Sequence, residues 1–336
     1  MKPFLKQGLL GAATLISLGL ALPANAASLI LYSAQHPQTV KLLVKDFEQA
    51  SGISVKVREG EGPELVAQLM AEGKASPADV YFASNSPELM ALEGKQMLTR
   101  LPAATLAAIP AKYNSPSGSW VGVTARENVL VVNNKLAAGL TLPASLMELA
   151  VPQWKGKLAI APSDGDFLPL VSAVRALKGD AAAQQWLKGL RDNAQMFDDN
   201  EGVAAAVNRG SVAVGIINNY YWARLQVELG AKGMHSQLHH FGNGDVGALL
   251  NVSGAGVLKT AHNADAAQKF VSYLTSARAQ QVLAKSNITF EYPLLPGIAP
   301  APVLKPFSQL VPPALDLQKL GDDSQAAPML RKAGLL

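Results

Sequence analysis

The 336-residue sequence contains no cysteine, which excludes disulfides, thiolate metal sites and cysteine nucleophiles. Aromatic residues are sparse at 6%, and only 16% of residues are charged against 49% apolar. The formal net charge is +4 and evenly spread, which gives no footing for nucleic-acid or membrane-surface binding. Long apolar runs are also lacking. Only Leu9 to Leu22 approaches one, and nothing downstream reaches the roughly eighteen apolar residues of a membrane span. Lys2 and Lys6 precede that run and Ala24-Asn25-Ala26 follows it, the layout of a secretory signal with cleavage expected after Ala26. Loss of the two lysines would leave a charge of about +2. With no cysteine after this segment to carry a lipid, a soluble periplasmic protein is expected. The catalytic signatures are missing as well: there is no nucleophile elbow and no HExxH, so no enzyme is expected.

What is present is an alternation of short apolar strands and amphipathic helices. Leu29 to Tyr32 reads as a strand, and Pro37 suits the first position of a helix that extends through Thr39 to Ala50. Ser51-Gly52 ends that helix. A strand over Ile53 to Val57, a helix over Glu64 to Glu72 and a buried strand over Asp79 to Phe82 follow. Strands are expected at Val121 to Val132, Leu158 to Ala161, Val212 to Ile217 and Gly247 to Leu258. Helices are expected near Asp265 to Leu274, Ala277 to Lys285 and Met329 to Ala333. The order argues for an α/β protein with an open, mostly parallel sheet and helices on both faces. The length suffices for two domains, each with its own core.

The residues able to carry chemistry sit at strand-to-helix junctions: His36, Ser84 and Asn85, Asp164 to Asp166, Asn200, and the segment Asn218-Asn219-Tyr220-Tyr221. In open α/β sheets, ligands bind beyond the carboxyl ends of strands, where these residues would gather. Asn218 and Asn219 suit a helix entry. That puts Tyr220 and Tyr221 in a first turn, where free N–H groups and the helix dipole favour negative charge. A phenol with a pKa of about 10 becomes a phenolate at neutral pH only beside a cation such as a hard trivalent metal ion. Two aromatics packed at a helix start is the plainer alternative. His36 alone reads equally as a cap, as do Asp164 and Asp166. The pair His239 and His240 lies on a strand that would send them to opposite faces, and it reads as structural.

The sequence resembles the periplasmic ferric-iron-binding proteins of ABC importers, the bacterial transferrin-like group of extracellular solute-binding proteins. The resemblance covers essentially all of the chain after residue 26. It rests on Tyr32-Ser-Ala-Gln-His36, Pro77-Ala-Asp-Val80, Trp154-Lys-Gly-Lys157, Gly247-Ala-Leu249 with Ser253-Gly254, Glu291-Tyr-Pro293 and, most specifically, Asn218-Asn-Tyr-Tyr-Trp222. It implies a two-lobed type II periplasmic binding protein, each lobe an open mixed sheet flanked by helices, with the ligand in the interlobe cleft. The expected lobes are residues 27–108 with 251–300, and 128–250 with 301–336, joined by a crossover at 109–127. It implies Fe(3+) as transported ligand, an inner-membrane permease as partner, and a monomer. His36, Tyr220 and Tyr221 match three of the family's four protein ligands. Arg126, Asn200 and Asn218 match positions that contact its synergistic anion.

Two departures bear on the shell. The position of the family's glutamate ligand is Ser84, followed by Asn85. The anion segment is Asp164-Gly165-Asp166, where two carboxylates either repel an anion or supply a metal ligand. A ferric chelate therefore stands beside free iron. A solute-binding protein for a phosphonate or organic acid, using Arg126, Ser84 and Asn85 as donors, is the second reading, since the fold alone does not select the ligand. A hydrolase using His36 with Asp164 or Asp166 is a third.

Overall fold

The computed structural model describes residues 28–336; the expected signal segment and its cleavage point lie outside the described residues. Ten strands follow in chain order: β1 (Ser28–Ser33), β2 (Ser54–Glu59), β3 (Val80–Ala83), β4 (Trp120–Asn133), β5 (Leu158–Ile160), β6 (Ala194–Met196), β7 (Val214–Asn218), β8 (Ser236–His239), β9 (Leu250–Val257) and β10 (Tyr292–Pro293). Their spatial order is β2-β1-β3-β9-β4-β7-β5-β6, with β8 and β10 each paired to β4.

The sheet is mixed rather than mostly parallel. Parallel pairing is confined to β1 with β2 and β3, and to β5 with β6 and β7. Between these two groups run β4 and β9, antiparallel to each other and to their outer neighbours β7 and β3. Strand β4 is the joint. Its first half, Trp120 to Glu127, pairs with β9, and from Asn128 it pairs with β7 instead. All fourteen of its residues are buried, so its run of valines has lost the alternation of a half-exposed strand. Near its start Gly122 passes so close to the next segment that a Cβ there would lie 2.5 Å from the Tyr113 carbonyl oxygen. The strand shifts register between Gly122 and Thr124, and the bulge turns it toward the second group of strands.

Helices form where apolar residues recur at helical spacing. In the Pro37–Ser51 helix, Pro37 starts the first turn, Val40, Leu43, Val44 and Phe47 are buried, Phe47 against the rings of Phe270 and Tyr273, and Gly52 in the left-handed region closes it through an N–H bond to the Glu48 carbonyl. Burial of each such side chain contributes about 1.5–3 kcal/mol. After Phe167 two helices follow, Phe167–Lys178 and Asp180–Asn193, separated by Gly179 at φ 86°. The expected strand from Gly247 begins later, because Val246–Ala248 forms a 3-10 turn capped by the Asp245 carboxylate.

The strand-to-helix turns of both groups meet in a cleft of about 710 Å³. One wall carries Ser33 to Pro37, Glu59 to Glu64 and Ser84; the other carries Ser163 to Asp166, Asp198 to Glu201, and Tyr221.

Candidate functional site

Strand β7 ends at Asn218 and the Asn219–Leu229 helix begins at once, so Tyr220 and Tyr221 lie in its first turn. The sharp junction is held by Asn219. Its amide oxygen accepts from the Glu127 backbone N–H at 2.8 Å, and its amide nitrogen donates to the Phe290 carbonyl at 3.2 Å. Asn218 precedes the helix without capping it: neither atom of its buried amide has a hydrogen-bond partner among the described residues. The two phenol rings lie 4.0 Å apart by their centroids. The Arg224 guanidinium stacks 4.5 Å over the Tyr220 ring, a cation beside the group that would carry negative charge.

Both phenols point at one carboxylate oxygen. Tyr220 donates to Asp166 Oδ2 at 2.7 Å and Tyr221 to the same atom at 3.2 Å. The other oxygen, Oδ1, accepts from Arg126 Nη2 at 2.8 Å and from the Asn85 amide at 3.3 Å. Arg126 Nη2 also donates to Asn85 Oδ1 at 2.8 Å. His36 completes the group from the opposite wall, its ring 4.8 Å from that of Tyr220 and 6.2 Å from that of Tyr221. Its Nε2 is buried with no hydrogen-bond partner among the described residues. An orphaned imidazole nitrogen is costly unless something binds it.

Electrostatics follow from this packing. Burial, then Arg224 and Arg126, push His36 down to about 3, so its ring is neutral and free to donate a lone pair at ordinary pH. Burial opposes the charge on Asp166, but Arg126 and the Tyr220 hydrogen bond outweigh it and hold the carboxyl below the usual carboxylate range. Burial likewise opposes the Arg126 charge, which Asp166 and Glu291 restore. Burial and the Asp166 charge raise both phenols well above their ordinary value, so they remain protonated unless a cation replaces the protons.

The two aspartates of the Asp164-Gly165-Asp166 segment have separate jobs. Asp164 is the loop cap. It accepts from the Asp166 backbone at 2.9 Å and from both the backbone and amide of Asn200, at 3.0 and 2.6 Å. Burial and Asp166 raise it to about 6. Asp166 precedes the Phe167–Lys178 helix yet caps nothing; its carboxylate is directed at the tyrosines.

Of the residues singled out from sequence, the structure therefore gathers His36, Tyr220, Tyr221, Asp166, Arg126 and Asn85. Ser84 lines the cleft but donates its hydroxyl to half-buried Glu88 at 2.9 Å, Gly165 lines the cleft, and Asn200 serves Asp164. The histidine pair is structural: His239 bonds the Pro143 carbonyl and His240 the Glu127 carboxylate.

Sequence reasoning missed Gln35 and Glu291 as supports. The Gln35 amide bonds Ser253 at 2.8 Å and Glu291 at 3.2 Å, and its oxygen accepts from the His36 backbone at 2.7 Å, fixing the histidine loop to β9. Their only signal was membership in the Tyr32-to-His36 and Glu291-Tyr-Pro293 segments.

Two groups of strands, two strands running between them and a polar cleft where they meet define a two-lobed solute-binding protein. The chain belongs to the bacterial extracellular solute-binding protein family, which it matches over residues 75–310. It is similar to the Fe(3+)-binding periplasmic protein of Serratia marcescens, with 37% identity over 95% of both chains. It is also similar to the major ferric iron-binding protein of Neisseria meningitidis serogroup A, with 34% identity over the full length of both. Among solved structures, iron-bound HitA from Pseudomonas aeruginosa superposes with a TM-score of 0.88 at 40% identity, covering 92% of this chain and 100% of that one.

Proposed function

We propose that this chain is the periplasmic substrate-binding component of an ABC-type Fe(3+) importer. His36, Tyr220 and Tyr221 are its metal ligands, and an inner-membrane permease receives its cargo. The observation that carries the reading is the convergence of two adjacent buried phenols on one point beside a buried imidazole nitrogen that has no partner among the described residues. Hard trivalent ions favour anionic oxygen donors, and two phenolates with a neutral imidazole answer that preference. The names of the relatives support the same cargo.

The lobes are residues 27–108 with 251–300 and residues 128–250 with 301–336, with the crossover at 109–127. The partner change of β4 at Glu127 and Asn128 supports this division. Open protein captures iron on the tyrosines, which lose their protons to it. The His36 wall then closes on the ion by hinge motion, and opening at the permease releases it. The protein acts as a monomer.

The test is ferric-ion affinity by equilibrium dialysis for wild type and Tyr221→Phe, with circular dichroism as the control for fold. Tyr221→Phe is expected to lose most of its affinity at unchanged fold. Equal affinities would remove the tyrosine from the shell. The small-anion reading draws on the buried Nε and Nη1 of Arg126, which have no hydrogen-bond partner among the described residues. Against it stands the Asp166 carboxylate already seated on that guanidinium.

A further inference from the structure

We propose that Arg224 is a positioning residue that ties the tyrosine pair to the opposite lobe, so that closing the lobes slows release of the ion. The inference rests on the iron reading above and extends it to how the closed form is held.

The first argument is the placement of the guanidinium. Arg224 follows Tyr220 by four positions on the Asn219–Leu229 helix, so the two side chains are neighbours on its surface. Its Cζ stands 4.5 Å over the Tyr220 ring, where the cation is attracted to the ring face and restrains it. At hydrogen-bond distance the guanidinium has one partner among the described residues: Nε donates to the Ile288 carbonyl at 3.1 Å. Nη2 is buried without a partner among those residues. The one carboxylate within reach, Glu201 at 4.0 Å, is 60% exposed, and so open a pair holds a guanidinium weakly. In the lobe division proposed above, Tyr220 and Arg224 belong to one lobe and Ile288 to the other. A single side chain therefore joins a proposed metal ligand to the facing lobe.

The second argument is the turn that supplies the carbonyl. Residues 286–290 connect the Ala277–Lys285 helix toward β10, and both Asn287 and Phe290 lie at φ 51°. Left-handed backbone is costly for residues with a side chain and persists where surrounding contacts fix it. Here the Ser286 hydroxyl accepts from the N–H groups of Ile288 and Thr289 at 3.1 and 3.3 Å. The carbonyls of Ile288 and Phe290 both meet the tyrosine helix, at Arg224 and Asn219. The Ile288 side chain is 41% exposed, so the turn is not built to bury it.

The third argument is leverage. Asn219, which holds Phe290, also accepts from the Glu127 N–H, where β4 changes partner. That contact sits at the joint. Arg224 lies five residues on, about 7.5 Å further along the helix at roughly 1.5 Å per residue. Hinge motion at β4 keeps the first contact and stretches the second. A lengthening of about 0.5 Å takes the Arg224 bond out of hydrogen-bonding range.

The test uses the mature protein loaded with one equivalent of iron from ferric citrate. The visible phenolate-to-iron band follows capture by stopped flow and release into excess EDTA. A hydrogen bond from a charged donor is worth roughly 10–100-fold in an equilibrium constant, so Arg224→Ala is expected to release iron faster by about that factor. Its capture rate should stay within about threefold of wild type, because capture on the open form precedes the contact. Ser286→Ala loosens the turn from the other lobe and is expected to speed release by a smaller factor. The double variant should release iron no faster than Arg224→Ala alone, because both changes break one contact.

Unchanged release in Arg224→Ala, a loss confined to capture, or additive effects of the two changes overturns the proposal while leaving iron binding in place. Should Arg224→Ala fail to fold by circular dichroism, Ser286→Ala decides: faster release supports the proposal and a wild-type rate overturns it. Absence of a wild-type band overturns the iron reading itself, and this proposal with it.

Discussion

Replacing Tyr220 or Tyr221 by phenylalanine should remove one proton from the count released when iron binds. Both phenols are pushed well above their ordinary pKa by burial and by Asp166, so between pH 5.5 and 7.5 each is protonated before the ion arrives. His36, at about 3, and Asp166, below the usual carboxylate range, have no proton to lose in that window. In the proposed shell the ligands therefore give up two protons per ion, and both come from the tyrosines. Each released proton makes affinity fall about tenfold per pH unit, or about 1.36 kcal/mol. From pH 7.5 to 5.5 the phenol protons alone should weaken the wild type by about 10⁴-fold and each single phenylalanine variant by about 10²-fold, so the wild type should lose about 10²-fold more than either variant. Asp164, raised to about 6, and hydrolysis of aqueous iron also exchange protons in this range. Both are common to wild type and variant, so the difference isolates the phenol. Calorimetric titration in two buffers of different ionisation heat reads the count directly. Identical counts for wild type and both variants would refute the claim that the tyrosines bind as phenolates.

Other consequences follow from particular contacts. Asp323 is raised to about 7, by burial first and then by Glu88. A carboxyl whose folded pKa lies above its unfolded value contributes stability present below about pH 3.8, which is lost as pH rises through 7. The loss is at most about 4 kcal/mol. Asp323→Asn should flatten the urea-midpoint profile between pH 4 and 8, and parallel profiles would contradict this. Asn219→Ala leaves the Glu127 N–H and Phe290 carbonyl without their bonds, at a cost of about 1–3 kcal/mol. It should lower the urea midpoint and weaken iron binding together; a loss of stability at unchanged affinity would show that the junction does not position the tyrosines.

Much of the architecture could be read from local pattern. The Pro37–Ser51 helix announces itself by a proline start, a four-residue apolar face and a terminal glycine, and the junction before Tyr220 by its paired asparagines. Pairing partners could not be read this way. Nothing local in the valines of β4 shows that the strand changes neighbour at Asn128, because both neighbours lie far away in sequence.

The site was legible to the same depth. His36, Tyr220 and Tyr221 stood out by residue type and position, but Asp164 and Asp166 were indistinguishable as possible caps. What separates them is Arg126, forty positions from Asp166, which captures one carboxylate while Asn200 captures the other. The Asn218 side chain was expected to cap a helix, and the packing instead left it buried with no hydrogen-bond partner among the described residues.

The measurement that bears most directly on the proposed ferric site is the visible spectrum of purified protein titrated with ferric citrate, beside Tyr220→Phe and Tyr221→Phe. A tyrosine-ligated ferric ion should produce a phenolate-to-iron charge-transfer band in the wild type that either substitution strongly diminishes. No band in the wild type across a range of anions, or a band indifferent to both substitutions, would contradict the assignment and return the tyrosine pair to a packing role.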